Sequence, residues 1–183
     1  MAYSNEPMED SLLTEAAVMK DLEELRAYYK AMDVASQILA GDGAKNPTLV
    51  ALVPLDEPES YQTVTNTFLL LSSEEAEFTK YLQFFAQLER DLDAADELAL
   101  LESVSRLNQF LPLGACFVLR QDGHRRLALR YTQGFPLHES IQPGVFTEDA
   151  LLFETSWDLA DTVAKALAEG KSVDEAFAFL EQR

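Results

Sequence analysis

The chain has 183 residues, 48% hydrophobic and 25% charged, with 32 acidic against 14 basic side chains and a formal net charge of −18. That length buries roughly 70% of the unfolded-chain surface in one domain without a disulfide or metal staple, and the ordinary composition excludes wholesale disorder. The charge opposes binding to phosphate polymers and to anionic membranes, which both depend on clustered Lys and Arg.

The one cysteine, Cys116, excludes an internal disulfide. No apolar run approaches the roughly 18 residues of a membrane span. MAYSNEPMED at the start lacks the basic region and apolar core of a signal peptide, so a cytoplasmic protein is expected. Residues 1–9 read as a flexible lead and 10–183 as one α+β domain.

From Asp10 to Leu39 the pattern is helical: Val18, Leu22, Leu25, Tyr29, Met32 and Leu39 form one apolar stripe. Gly41-Asp42-Gly43 is the expected stop, and Asn46-Pro47 extends the break. Thr48–Leu55 (TLVALVPL) reads as a strand, Asp56–Ser60 as a polar connection, and Gln62–Leu71 (QTVTNTFLLL) as a β-branched second strand. The stretch 72–92 supports two readings. Ser72-Ser73-Glu74-Glu75 has the form of a capping box, and Phe78, Tyr81, Phe85, Leu88 and Leu92 keep helical spacing. Yet Leu82, Phe84, Ala86 and Leu88 alternate with Tyr81, Gln83 and Gln87, as a half-buried strand requires.

Ala94–Leu111 predicts a helix capped by Asp93, with Leu98, Leu101, Val104 and Leu107 or Leu111 buried and Pro112 as the stop. Asp122-Gly123 between two apolar runs predicts a type I′ hairpin, because both central residues of that turn need positive φ. Thr147 is the expected cap of a long helix to about Glu169, with Leu151, Leu152, Trp157, Leu159, Val163 and Leu167 inward. Ser172-Val173-Asp174-Glu175 is a capping box for a last short helix carrying Val173, Phe177 and Leu180.

The text LLESVSRLNQFLPLGACFVL at 100–119 and RRLALRYTQGFPL at 125–137 resembles the YbjN-like branch of the type III secretion chaperone-like family of bacterial proteins. The features that carry the likeness are an Asn-containing helix end, Leu-Pro-Leu-Gly, the DG hairpin and an Arg-Tyr strand end. The first 90 residues follow it only in element order. The resemblance implies a strand over Thr79–Leu88 and the order α-β-β-β-α-β-β-α plus a short C-terminal helix. The implied fold is α+β, with an antiparallel sheet of about five strands and helices packed on it. It also implies a homodimer and a polypeptide-binding or adaptor role, with neither catalysis nor a cofactor.

The residues themselves carry no catalytic constellation. His124 falls in the turn and His138 in a loop, neither with a Cys or His at a metal-ligand spacing. Cys116 sits in an apolar strand as a small hydrophobe. Carboxylates are plentiful, and helix starts and solvated faces account for them. What stands out is Arg120, Arg125, Arg126 and Arg130 within eleven residues of a chain poor in basic groups. Alternation places Arg126 and Arg130 on one strand face, with Arg120 expected to join them across the hairpin. Adjacent aromatics cannot both face one core, so one of Tyr28-Tyr29 and one of Phe84-Phe85 is expected at the surface.

The expected role is a non-enzymatic protein-binding module, chaperone-like or a regulatory adaptor. Its contacts are Arg120, Arg125, Arg126, Arg130, Tyr28 and Phe85, and its partner is another protein or a second copy. No nucleic acid, membrane, metal or cofactor is expected. The alternative is a small-ligand sensor or enzyme with a carboxylate-lined pocket.

Overall fold

A computed structural model describes residues 13–41, 46–55, 61–72 and 74–182. The expected lead at 1–9, all but Gly41 of the glycine stop, and the connection at 56–60 lie outside these. In chain order the elements are α1 (Glu15–Ala31), β1 (Ala35–Leu39), β2 (Thr48–Pro54), β3 (Tyr61–Leu69) and β4 (Thr79–Gln87). Then follow α2 (Glu97–Leu107), β5 (Ala115–Gln121), β6 (His124–Pro136), α3 (Pro143–Ala168) and α4 (Val173–Phe177), with a closing 3₁₀ turn over Ala178–Gln182. The strands form an open antiparallel sheet in the order β1-β2-β3-β4-β6-β5. The α+β class is as expected, with six strands where about five were predicted. The chain divides into two compact units, Met1–Phe84 with Thr132–Thr147, and Phe85–Tyr131 with Glu148–Arg183.

In the first unit, the Thr14 hydroxyl caps α1 by accepting from the Ala17 N–H, and Val18, Leu22, Leu25 and Tyr29 are its buried stripe. The helix ends at Ala31 and does not run on to Leu39. Asp33 adopts φ 60°, and the Val34 N–H reaches the Tyr29 carbonyl at 2.9 Å while the Asp33 N–H reaches Lys30 at 3.2 Å. This is a Schellman stop built on Asp, a residue that tolerates the left-handed region. Freed from the helix, Ala35–Leu39 pairs antiparallel with β2, from Ala35↔Leu52 to Leu39↔Thr48.

Leu49 and Ala51 of β2, Val64 and Phe68 of β3, and Leu82 and Phe84 of β4 are buried. Phe146 packs at 5.7 Å on the Phe84 ring and edge-on at 5.1 Å to Tyr29. Two polar contacts cross this core. Tyr29 donates to Asn66 Oδ1 at 2.8 Å, and Lys80 meets Asp21 at 2.6 Å with both side chains buried. Removing one member of such a pair strands the other charge, which costs about 3–5 kcal/mol. The strand reading of Thr79–Leu88 is the correct one. Ser72 and Glu75 do bond as a box would, the Ser72 N–H and hydroxyl both 3.0 Å from Glu75 Oε2. They close a turn, and a strand follows.

In the second unit, the Leu88 N–H continues the β4 ladder to Leu127 at 2.9 Å. The α2 cap is Asp96, not Asp93. Its buried residues are Leu100, Ser103 and Leu107, while Leu98 and Leu101 are 75% and 48% exposed, against expectation. α2 carries apolar residues on two neighbouring stripes, and its polar anchors to β5 choose between them. α3 begins at Pro143, before the expected Thr147; proline suits a first helical turn, where its missing N–H has no intrahelical acceptor to lose. Phe153, Trp157, Val163 and Leu167 are buried as its core face, and Leu151, expected inward, is exposed. The Ser172–Glu175 capping box opens α4 as predicted, and Phe177 is fully buried under Arg106, whose guanidinium stands 4.7 Å from the ring.

Candidate protein-binding surface

The Asp122-Gly123 turn has φ 53° and 84°, the two positive values a type I′ turn requires. It sets the register Gln121↔His124, Arg120↔Arg125, Leu119↔Arg126, Val118↔Leu127, Phe117↔Ala128, Cys116↔Leu129 and Ala115↔Arg130. Gly114 supplies the other strained position. Its φ is 79°, and a Cβ there would lie 2.8 Å from the Arg130 carbonyl oxygen, so only glycine lets β5 start this close to β6.

Residues directly opposed across a ladder share a face. Arg120 therefore lies with Arg125, on the face opposite Arg126 and Arg130, and does not join that pair as expected. On its own face Arg125 is a clasp. It reaches Glu97 Oε2 at 2.9 Å and the Ala95 carbonyl at 3.0 Å, and also bonds the Asp93 carbonyl. Arg120 pairs with the same Glu97. Asp93, predicted as a helix cap, instead accepts from the Arg125 N–H at 2.7 Å and stands 2.8 Å from His124 Nδ1. Those contacts hold its carboxyl below the usual range, the Arg125 N–H first. They raise His124, chiefly through its hydrogen bond to Asp93.

Asp91, Asp93 and His124 are the group among the described residues whose ligand atoms, all within 4.8 Å of one another, could hold a metal ion. All three are exposed and already engaged: beside the Asp93 contacts, the Asp93 N–H donates to Asp91 Oδ1 at 2.8 Å and His124 Nδ1 lies 3.2 Å from Asp91 Oδ2. His124 lies 31 residues from Asp93 in the chain, so no local ligand spacing marks the cluster.

The other face is different in kind. Arg26, Arg90, Arg106, Arg120 and Arg125 each have a carboxylate within salt-bridge distance. Arg126 and Arg130 have no ion-pair partner among the described residues. Arg126 Nε is buried without a hydrogen bond, and the exposed Arg130 stands 5.6 Å from the Phe117 ring centroid as a cation–π contact. Phe85 lies 6.5 Å from Phe117 on the same face, half-buried while its neighbour Phe84 is fully buried. The surface thus presents two arginines lacking carboxylates beside two aromatic rings.

Tyr28 belongs to the first unit and is engaged there. Its hydroxyl donates to the Ile141 carbonyl at 2.9 Å, and its ring lies 5.9 Å from Phe146. Burial pushes the Cys116 thiol up to about 12, so the thiolate needed for nucleophilic chemistry is scarce at neutral pH. The buried carboxylates among the described residues are Asp21, held by Lys80, and Asp149, whose Oδ1 lies 3.5 Å from the Tyr131 hydroxyl. Burial raises the Asp149 carboxyl.

No described helix is long and apolar enough to cross a membrane. No family model and no curated protein matches the sequence. Among solved structures the fold is similar to the crystal structure of YbjN from E. coli, described as a proposed transcription regulator. The likeness has a TM-score of 0.46 and 14% identity, over 81% of this chain and 93% of that one.

Proposed function

We propose that this chain is a non-catalytic protein-binding module whose contact surface is the open sheet face bearing Phe85, Phe117, Arg126 and Arg130. The observation that carries the reading is that Arg126 and Arg130 have no ion-pair partner among the described residues, in a chain with 32 acidic residues. Carboxylates are abundant, yet among the described residues none pairs with either arginine. Arginine engages carboxylates bidentately, and aromatic rings beside it supply the desolvated contact area that binding centres favour. The partner is accordingly a polypeptide that presents carboxylates. The resemblance in residues 100–137 points to the same class of role.

The test is affinity capture with the intact tagged protein at moderate salt, comparing wild type with an R126E/R130E variant. Expected is a stoichiometric polypeptide partner, lost on charge reversal while the unfolding temperature is kept. Equal recovery with both proteins would retire this surface. A second copy as the partner appears in the same experiment as a homodimer that R126E/R130E converts to monomer.

A further inference from the structure

β5 is the last strand of the sheet, and its outer edge is only partly closed. The Asn108 side chain imitates a neighbouring strand: its Oδ1 accepts from the Cys116 N–H at 2.7 Å and its Nδ2 donates to the Cys116 carbonyl at 3.0 Å. Those two backbone groups therefore point away from β6. Backbone direction alternates along an antiparallel strand, so the N–H and C=O of Val118 and Arg120 point the same way, and among the described residues they have no partner on that side.

α2 borders this edge. Asn108 binds Cys116 at one end, and Glu97 pairs with Arg120 at the other. The two anchors are about 16 Å apart along a helix, and Cys116 and Arg120 are about 13 Å apart along a strand, so helix and strand run side by side. Glu97, Leu101, Val104 and Asn108 fall on one helical stripe at steps of four, three and four. The apolar residues between the anchors are thus those beside the open edge, and Leu101 is 48% exposed there.

Resting on the function proposed above, we infer that a partner segment docks here in extended form, adding to β5 as an edge strand and alternating apolar with acidic residues. The open N–H and C=O groups of Val118 and Arg120 give it main-chain hydrogen bonds. Its apolar side chains turn to the α2 side and cover Leu101 and Val104. Its acidic side chains turn to the opposite face, two strand spacings or about 10 Å from β6, a gap that glutamate and arginine side chains close from both ends. At physiological salt the repulsion from the rest of this acidic chain is screened beyond about 8 Å, while contacts at Arg126 and Arg130 persist. A second copy is the poorer occupant, since pairing β5 with β5 would bring four unpaired arginines onto one face.

The test uses the intact protein and a fluorescein-labelled octapeptide alternating valine and glutamate, read by anisotropy. Expected is saturable binding, weakened at least tenfold by Val118→Pro. Proline at that position removes an outward N–H and no bond to β6, so the unfolding temperature should hold. A peptide of the same sequence N-methylated along its bonding edge should lose affinity equally, and this arm needs no variant protein. A block peptide of four valines and four glutamates should bind at least tenfold more weakly. If Val118→Pro and N-methylation leave binding intact while R126E/R130E abolishes it, the edge proposal fails and the binding face stands. If none of these alters binding, or no saturable binding occurs, the edge proposal fails. A dimer that Val118→Pro splits would make the second copy the occupant and overturn it as well.

Discussion

The two faces of the β5–β6 hairpin carry the same residue type to opposite ends. Arg120 and Arg125 project to the face where α2 and the 91–97 loop supply Glu97, Asp93 and backbone carbonyls, and both are paired. On the other face Arg130 has the Phe117 ring, and neither it nor Arg126 has a carboxylate partner among the described residues. Arginine content alone therefore says little about binding. What separates the two arginine pairs is whether the fold brings each an acceptor.

This contrast breaks most visibly at Arg125. Arg125→Ala removes three hydrogen bonds from a side chain only 17% exposed, and should cost about 2–3 kcal/mol in urea unfolding. Next comes Asn108→Ala, which uncaps Cys116 and should cost about 1–2 kcal/mol by the same measurement. It should also expose the Cys116 amide to faster hydrogen exchange. Arg126→Ala and Arg130→Ala, with no polar partner to strand among the described residues, should each stay within about 0.5 kcal/mol of wild type; a larger loss in either would place it with Arg125.

The smallest effect is one of pH. His124 is raised in the folded state, so its contribution is complete below the ordinary histidine range and lost as pH rises through the folded value. Asp93 is lowered, so its contribution holds above the ordinary carboxylate range and is lost as pH falls through its own depressed value. The 91–97 clasp is therefore tightest in mildly acidic solution, between those limits. Amide exchange in the loop should quicken as pH passes neutrality, beyond the intrinsic base-catalysed increase. His124→Gln should abolish that excess, and a persisting excess would show that another group is responsible.

Much of this was legible locally. The DG turn and the Ser172–Glu175 box declare themselves because their chemistry is complete within four residues. Arg120 is instructive. With Asp122 and Gly123 as the two turn residues, Gln121 must oppose His124 and Arg120 must oppose Arg125, so its separation from Arg126 was available from the turn alone. β1 was hidden because an aspartate does the work of a glycine at Asp33, and the apolar spacing continues past it. The stripe of α2 was hidden for another reason. Two apolar stripes compete in Leu98–Leu107, and the decision lies with contacts from Glu97 and Asn108 to a strand that follows in the chain. The metal-capable trio and the Asp21–Lys80 pair likewise join residues far apart in sequence, and no local spacing betrays them.

The division between the two faces is tested most directly by measuring stability and partner capture together for R120A/R125A and R126A/R130A. Expected is a crossed result. The first variant unfolds at a lower denaturant concentration and still binds below its transition, whereas the second keeps wild-type stability and loses the partner. A second variant that is destabilised as much as the first, or that binds as well as wild type, would contradict the assignment of the open face as the contact surface.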